Sequence, residues 1–415
     1  MKSILILGGN PETGVLVKYA KNMGLITHVL DPNPSAPAKK FADYSYNIDA
    51  TNVEKIIGVY IQNNIDAILV GVADILVPTY FKVCQELGLP CYATFDAIVA
   101  FSSKDEFVAT CEKYGVDTTP RFSHSIGSSV IPLSSYPLII KPVDNGAGVG
   151  VVLCRSSDSL YSCTEYARSY SKVGRVMVER YMRCDDLFAY YTFIDGVAYL
   201  SAVADRLTTD QQGVGSPVCI GAIYPSKYLT EFVEKMHPIL VDMFKGLEIK
   251  NGVLNIQFFY EDGKFYAYDP GYRLQGEAPH LHLLYANGFD HRAMLINFAL
   301  KGEMELYENY FNNDPALHGR WAKTVWILLS TGKISSVTGL DEISRLESCC
   351  DVVQRFQIGD EVTEEMIGTE RQVFARFYLQ NNDCALLDKD IKKLHLILGV
   401  KDINGKSMIL AGLGR

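Results

Sequence analysis

The chain has 415 residues, and at roughly 100 to 200 residues per domain that length calls for more than one hydrophobic core. Hydrophobic residues make up 48% and charged residues 21%, with mean hydropathy +0.05, which excludes a disordered, collagenous or membrane-spanning chain. With 39 basic against 48 acidic residues the net charge is −9, so the surface repels phosphate backbones and anionic lipid, and neither a nucleic-acid nor a membrane partner is expected.

The first hundred residues alternate short apolar runs with helical stretches: Ile4 to Leu7, Thr13 to Met23, Thr27 to Leu30, Val53 to Asn63, Ala67 to Val70. That rhythm predicts βαβ units on a parallel sheet. The run from Met1 to Gly9 therefore reads as a strand and not as a signal peptide. Gly8, Gly9 and Gly14 fall between the first strand and its helix, where backbone amides and a helix N-terminus can meet an anion. The dinucleotide pattern G-x-G-x-x-G is absent, and Asp31 opens the stiff turn Asp31-Pro32-Asn33-Pro34. A nicotinamide site is the minor reading here, beside a substrate crevice or a plain turn.

Ser102 to Tyr114 reads as a capped helix with Lys104 in its first turn. Pro137 to Pro142 is an expected strand that carries Lys141 near its end. The loop Asp144 to Gly150 follows, and Val151 to Cys154 is the next strand. Arg175 to Tyr181 is a further strand, and hairpins are expected at Asp195-Gly196 and at Asp262-Gly263. Leu229 to Leu247 and His291 to Leu300 read as helices, Phe311 to His318 as a boundary, and Ala322 to Arg415 as a small β-rich unit. The ten cysteines show no Cys-x-x-Cys spacing and read as reduced thiols; with no apolar run of 18 residues, a cytoplasmic location is expected.

Lys141, three residues before a loop containing Gly146, Gly148 and Gly150, sets a fixed cation beside amides that can close over phosphate oxygens. Glycine suits such a loop because the backbone must approach the ligand and take up positive φ. A surface hairpin whose glycines serve only its turn is the plain alternative.

Taken in order, Lys104, Lys141, the glycine loop, Val178-Glu179-Arg180-Tyr181-Met182 with Asp185-Asp186, Asn255-Ile256-Gln257 and Asp269-Pro270-Gly271-Tyr272-Arg273 resemble the ATP-grasp superfamily of carboxylate–amine ligases. The likeness is greatest to the branch with carbamoyl phosphate synthetase halves, biotin carboxylase, purine-pathway ligases and amino-acid ligases. It implies an α/β and α+β fold: a Rossmann-like pre-ATP-grasp domain over 1–101, a two-part ATP-grasp clamp over 102–314 with its lid subdomain at about 110–182, and a small β-rich C-terminal domain over 315–415.

The resemblance implies ATP and Mg²⁺ as cofactors and residue roles to match. Lys104 and Lys141 would hold phosphates, and Gly146, Gly148 and Gly150 would form the lid. Glu179, Tyr181 and Met182 would lie along adenine, and Asp186, or the adjacent Asp185, would meet the ribose. Gln257 and Asp269 would bind metal, and Arg273, with Lys141, would act in catalysis. The family's closing pattern has an Asn where this chain has Gly271, which cannot ligate a metal, so Glu277 is the candidate for a missing oxygen.

The implied reaction activates a small-molecule carboxylate as an acyl phosphate for attack by an amine or ammonia, in an enzyme that by analogy is a homodimer. The departure at Gly271 keeps a second reading open, an inactive nucleotide-binding member. Single residues have plainer roles available as well. Lys104 alone reads as a solvated lysine, Asp269 as the start of a turn, and Arg273 with Glu277 as a surface ion pair. Arg206 is a weaker candidate for a phosphate contact. His280 and His282 suit a substrate pocket better than zinc, since a third ligand of suitable spacing is lacking.

Overall fold

The N-terminal alternation folds as its apolar runs dictate. The structure, a computed structural model, describes residues 1–122, 131–144, 148–209, 217–305 and 313–411. Strands β1 (Ser3–Leu7), β2 (Ile26–Leu30), β3 (Tyr44–Tyr46) and β4 (Ala67–Val70) form a parallel sheet in the order β3-β2-β1-β4. Parallel pairing needs crossovers, supplied by helices such as α1 (Pro11–Asn22) and α2 (Val53–Gln62). Pro11 opens α1, where a missing N–H costs nothing, and Asn10 caps it by accepting the Thr13 N–H at 2.8 Å. The cap engages one amide of this helix end, the Thr13 N–H. Gly9 is needed for packing, since a Cβ there would lie 2.5 Å from Ala36 Cβ.

Helices α3 (Val77–Leu87), α4 (Phe95–Ser102) and α5 (Lys104–Tyr114) lead out of this sheet. The expected helix from Ser102 starts two residues later. Ser102 closes α4, and Ser103 in extended conformation separates the two helices. A small antiparallel sheet follows, β6 (Val152–Cys154) and β7 (Val176–Arg180) flanking β5 (Leu138–Pro142), with Leu160 and Ala167 of α6 (Leu160–Ser169) packed on Leu138, Ile140 and Val178.

The remaining strands are β8 (Asp185–Ile194), β9 (Val197–Thr208), β10 (Cys219–Tyr224), β11 (Gly252–Glu261), β12 (Lys264–Gly271), β13 (Trp321–Leu329), β14 (Gly332–Thr338), β15 (Cys349–Gln354), β16 (Glu361–Val362), β17 (Val373–Asn381), β18 (Gly399–Asp402) and β19 (Ile409–Ala411). Among the described residues, nine of them form one sheet, in the order β12-β11-β8-β9-β10-β13-β17-β15 with β19 on β13. The sheet therefore runs across position 315, and β14, β16 and β18 make a separate three-stranded piece. Both expected hairpins turn where the sequence places them. Asp195 and Gly196 have φ of 48° and 86°, Asp262 and Gly263 of 50° and 79°, the left-handed pair that a tight two-residue hairpin requires.

The helix expected over Leu229 to Leu247 is two, α7 (Leu229–Lys235) and α8 (His237–Gly246), because Pro238 has no N–H to continue the first and suits the first turn of the second. Helices α9 (His280–Asn287) and α10 (His291–Lys301) pack behind the large sheet, and α11 (Leu340–Ile343) and α12 (Cys384–Ile397) belong to a second core with Val325, Phe374 and Phe377. Among the described residues no helix is long and apolar enough to cross a membrane, and all ten cysteines are free thiols.

Candidate active site

Two sheets face each other across a cleft of about 220 Å³, walled by β5 and β7 on one side and by β8, β11 and β12 on the other. Lys104, Lys141, Gly148, Glu179, Tyr181, Met182, Asp186, Gln257 and Asp269 all line it. Gly150 sits between the lining residues Gly148 and Val151 at φ +76°, packed so that a Cβ would stand 2.6 Å from Tyr170 Cβ. Gly146 falls outside the described residues.

Lys104 enters from the first turn of α5, its Nζ 3.8 Å from Asp269 Oδ1 and its backbone N–H donating to the Val143 carbonyl at 3.1 Å. Lys141 projects from β5, and its Nζ lies 2.7 Å from Glu179 Oε2 on β7, the two side chains only 9% and 5% exposed. A buried ammonium needs such a partner, since desolvation alone penalises the charge. Glu179, expected along adenine, thus has its side chain engaged with Lys141. The N–H groups of Arg180 and Tyr181 donate to the carbonyls of Pro120 and Pro137, so the amide of Tyr181, a residue expected along adenine, is engaged within the protein.

The choice between Asp185 and Asp186 falls to position. Asp186 lines the cleft, where it pairs with Arg206 and accepts from the Tyr268 hydroxyl at 2.8 Å. Asp185 turns outward to Lys227 at 3.0 Å. Arg206 meets a carboxylate there, and as a lining residue it also borders the space a phosphate or ribose would take.

Gln257 and Asp269 stand directly opposite each other in the β11–β12 pair, with Nε2 3.5 Å from Oδ2. The single proton of the Tyr268 hydroxyl lies near two acceptors, Asp186 Oδ1 at 2.8 Å and Gln257 Oε1 at 2.6 Å, and it can serve one. Turning the Gln257 amide end for end lets Nε2 donate to Tyr268, Tyr268 donate to Asp186, and Oε1 face Asp269. Two oxygens facing each other are unfavourable by themselves and are what an octahedral, oxygen-seeking magnesium ion takes. The residues fit that ion.

Arg273 is not among the residues lining the cleft. Its guanidinium holds Asp74 Oδ2 of the N-terminal unit at 2.7 Å and is 14% exposed. Glu277 does not line the cleft either. Burial pushes its carboxyl above the ordinary range although Arg273 opposes the shift, and among the described residues its Oε1 has no hydrogen-bond partner. Behind it stands a group that no local pattern announces. Arg376 donates to Glu12 at 2.9 Å and to the Gly276 carbonyl, and Arg355 approaches Glu12 at 3.3 Å. Burial alone would raise the Glu12 carboxyl, but Arg376 and Arg355 outweigh it and hold it below its usual value. Glu12 and Arg376 are 364 positions apart. His280 borders a small cavity beside Glu12 of about 10 Å³, the room of one water, while His282 is a core residue bonded to Thr324 at 3.0 Å.

Comparison with known proteins places these features in context. Residues 115–189 match the family described as D-ala D-ala ligase C-terminus. The formate-dependent phosphoribosylglycinamide formyltransferase of Corynebacterium glutamicum strain R is 29% identical over 213 residues, covering 44% of this chain and 46% of that protein. The chain spans about half the length of that relative. Among solved structures, an L-amino acid ligase from Bacillus licheniformis superposes with TM-score 0.75 at 16% identity, covering 97% of this chain and 99% of that one. The biotin carboxylase domain of the Hydrogenobacter thermophilus 2-oxoglutarate carboxylase, solved as a dimer with magnesium ADP and bicarbonate, gives 0.76 at 16%, covering 99% and 91%. At such identities the structural likeness establishes a shared fold.

Proposed function

We propose that this chain, a member of the ATP-grasp superfamily, is an ATP- and Mg²⁺-dependent ligase that activates a small-molecule carboxylate as an acyl phosphate and joins it to an amine or ammonia, releasing ADP and phosphate. The observation that carries the reading is the convergence of Lys104, Lys141, Gln257 and Asp269 on one cleft. A triphosphate carries about four negative charges, which a protein of net charge −9 can accept only where cations are concentrated.

In this reading Lys141, oriented by Glu179, and Lys104 hold the phosphates, while Gly148 lets the loop backbone close over them. Tyr181, Met182 and Asp186 border the nucleoside. Asp269 and Gln257 hold the metal, which when bound neutralises charge building on the β- and γ-phosphates. The substrate carboxylate oxygen attacks the γ-phosphorus as the bond to ADP breaks. The amine nitrogen then attacks the acyl carbon, phosphate leaves and the nitrogen gives up a proton. Arg273 stands beyond the metal pair on the side of Asp74, where it can meet the carboxylate substrate and the acyl phosphate. No protein nucleophile is needed. We place the reaction in the cytoplasm and, by analogy with the dimeric biotin carboxylase domain, in a homodimer.

Phosphate release from ATP, measured with paired acids and amines, tests the ligase reading, and release only when both are present is expected. Lys141→Ala should weaken ATP binding by calorimetry at least tenfold, about 1.4 kcal/mol. Unchanged affinity would remove Lys141 from the phosphate site. Gly271 favours the second reading, nucleotide binding without ligation, which keeps the Lys141 effect and shows no phosphate release with any pair.

A further inference from the structure

Strands β11 and β12 pair in register, Asn255 opposite Gly271 and Gln257 opposite Asp269. Alternation along each strand puts all four residues on one face. Three of the four carry oxygens, and Gly271 has no side chain. The backbone of Gly271 lies outside the left-handed region, and a Cβ there would stand 2.5 Å from Asn255 Oδ1, so a side chain at 271 requires the Asn255 amide to shift. The Asn255 amide therefore leans across from its own strand into the volume a residue at 271 would fill. Asn255 is 4% exposed and lies beside Gln257 outside the residues lining the cleft, and among the described residues its buried Oδ1 has no hydrogen-bond partner. A buried carbonyl left unpaired costs about 1 to 3 kcal/mol, which a bound water or a cation would offset.

Resting on the ligase reading above, we propose that Asn255 Oδ1 is a third protein oxygen of the magnesium site, supplied from the strand opposite Gly271 and joining Gln257 and Asp269. One carboxylate and two amide oxygens leave coordination positions for phosphate and water, the set a magnesium ion commonly keeps. The point where a Cβ of residue 271 would lie is also 3.3 Å from Asp74 Oδ1 and 3.4 Å from Arg273 Cζ, so the competing role for Asn255 is to set the position of the arginine.

Manganese titrated into the full chain with saturating ADP, and followed by the resonance of the free ion, separates these roles. Asn255→Ala should raise the apparent manganese Kd at least tenfold while leaving ADP affinity in chelator unchanged. Gly271→Asn alone sets its Cβ against the Asn255 amide and lowers the melting temperature. The double variant Asn255→Ala with Gly271→Asn carries the amide on the other strand, and should regain both stability and manganese affinity to within threefold of the native chain.

Should Asn255→Ala unfold, Asn255→Asp keeps the shape and adds charge, and is expected to tighten manganese at least threefold. Manganese affinity untouched by Asn255→Ala, or no tighter in Asn255→Asp, overturns the assignment while the ligase reading stands. A native chain that binds no manganese with ADP takes down that reading and this assignment together.

Discussion

Arg273 shows how far a residue's chemistry depends on where its neighbours lie. Its guanidinium is nearly buried and pairs with Asp74, a side chain that is half exposed, so the ion pair itself stabilises by at most about 1 kcal/mol. What the pair does is fix the position of the arginine against the N-terminal unit. Arg273→Ala should leave ATP affinity within threefold and lower turnover at least a hundredfold, about 2.7 kcal/mol of transition-state stabilisation. Asp74→Ala, which loosens the arginine without removing it, should cost about tenfold in turnover. Equal losses of ATP affinity and turnover in Arg273→Ala, measured by calorimetry and phosphate release, would make it a nucleotide ligand instead. The two residues are 199 positions apart, and spacing along the chain gives no hint that they meet. The order of Lys104, Lys141, Gln257 and Asp269 was legible through the family resemblance, each lying on a helix or strand whose existence the local pattern announces.

At the scale of elements, the β11–β12 hairpin was legible because an Asp-Gly turn fixes its register from Glu261 opposite Lys264 to Phe258 opposite Ala267, whereas the pairing of Gln257 with Asp269 follows a one-residue shift at Tyr268 that the turn does not announce. The pairing of β5 with β7 was not, since Lys141 and Glu179 lie on strands separated by β6 and α6. Their ion pair is nearly dry. Removing one partner leaves the other charge buried and uncompensated, whereas removing both leaves an apolar contact. Glu179→Ala should therefore lower stability to denaturant by about 3 to 5 kcal/mol, and the double change Lys141→Met with Glu179→Met should be close to neutral while ATP binding is lost. If the double variant is as unstable as the single one, packing of the strands and not charge is what the pair supplies. The break between α7 and α8 was also readable in principle, because Pro238 announces it. Continuation of the large sheet through β13, β17 and β15 was not, since which strands become neighbours across a hundred residues leaves no mark on local periodicity.

At the scale of the whole molecule, the large sheet meets the helices behind it through buried histidines. His282 Nε2 lies 3.0 Å from Thr324 Oγ1 on β13, and His291 Nε2 lies 2.8 Å from Thr192 Oγ1 on β8, so α9 and α10 are each tied to a strand by an imidazole. Burial pushes His282 down to about 3 and His291 to about 4, and together with Arg292 it holds His280 well below the ordinary value. In the unfolded chain all three take up a proton near pH 6.5, whereas in the folded protein they stay neutral until far lower pH. The unfolded state thus binds more protons below pH 6.5, and stability must fall as the medium is acidified from there toward pH 4.

Glu277 works in the opposite sense, because burial raises its carboxyl and the folded state is the one that gains a proton on acidification. One carboxyl does not offset three imidazoles, and Glu12, held low by its arginines, adds to the acid loss below pH 4.5. Each histidine contributes a slope of about 1.4 kcal/mol per pH unit, or about 2 kcal/mol between pH 6.5 and pH 5. Three together amount to a large part of the 5 to 15 kcal/mol that holds an ordinary domain folded. Denaturant unfolding at pH 7.5, 6.5 and 5.5 should show a steep loss over the last step. His282→Gln, which keeps a donor for Thr324 and cannot ionise, should flatten that loss by about 1.4 kcal/mol per unit. A stability that does not change between pH 7 and pH 5 would mean these rings are reached by water or change partners, and that α9 and α10 are not fixed to the sheet through neutral imidazoles.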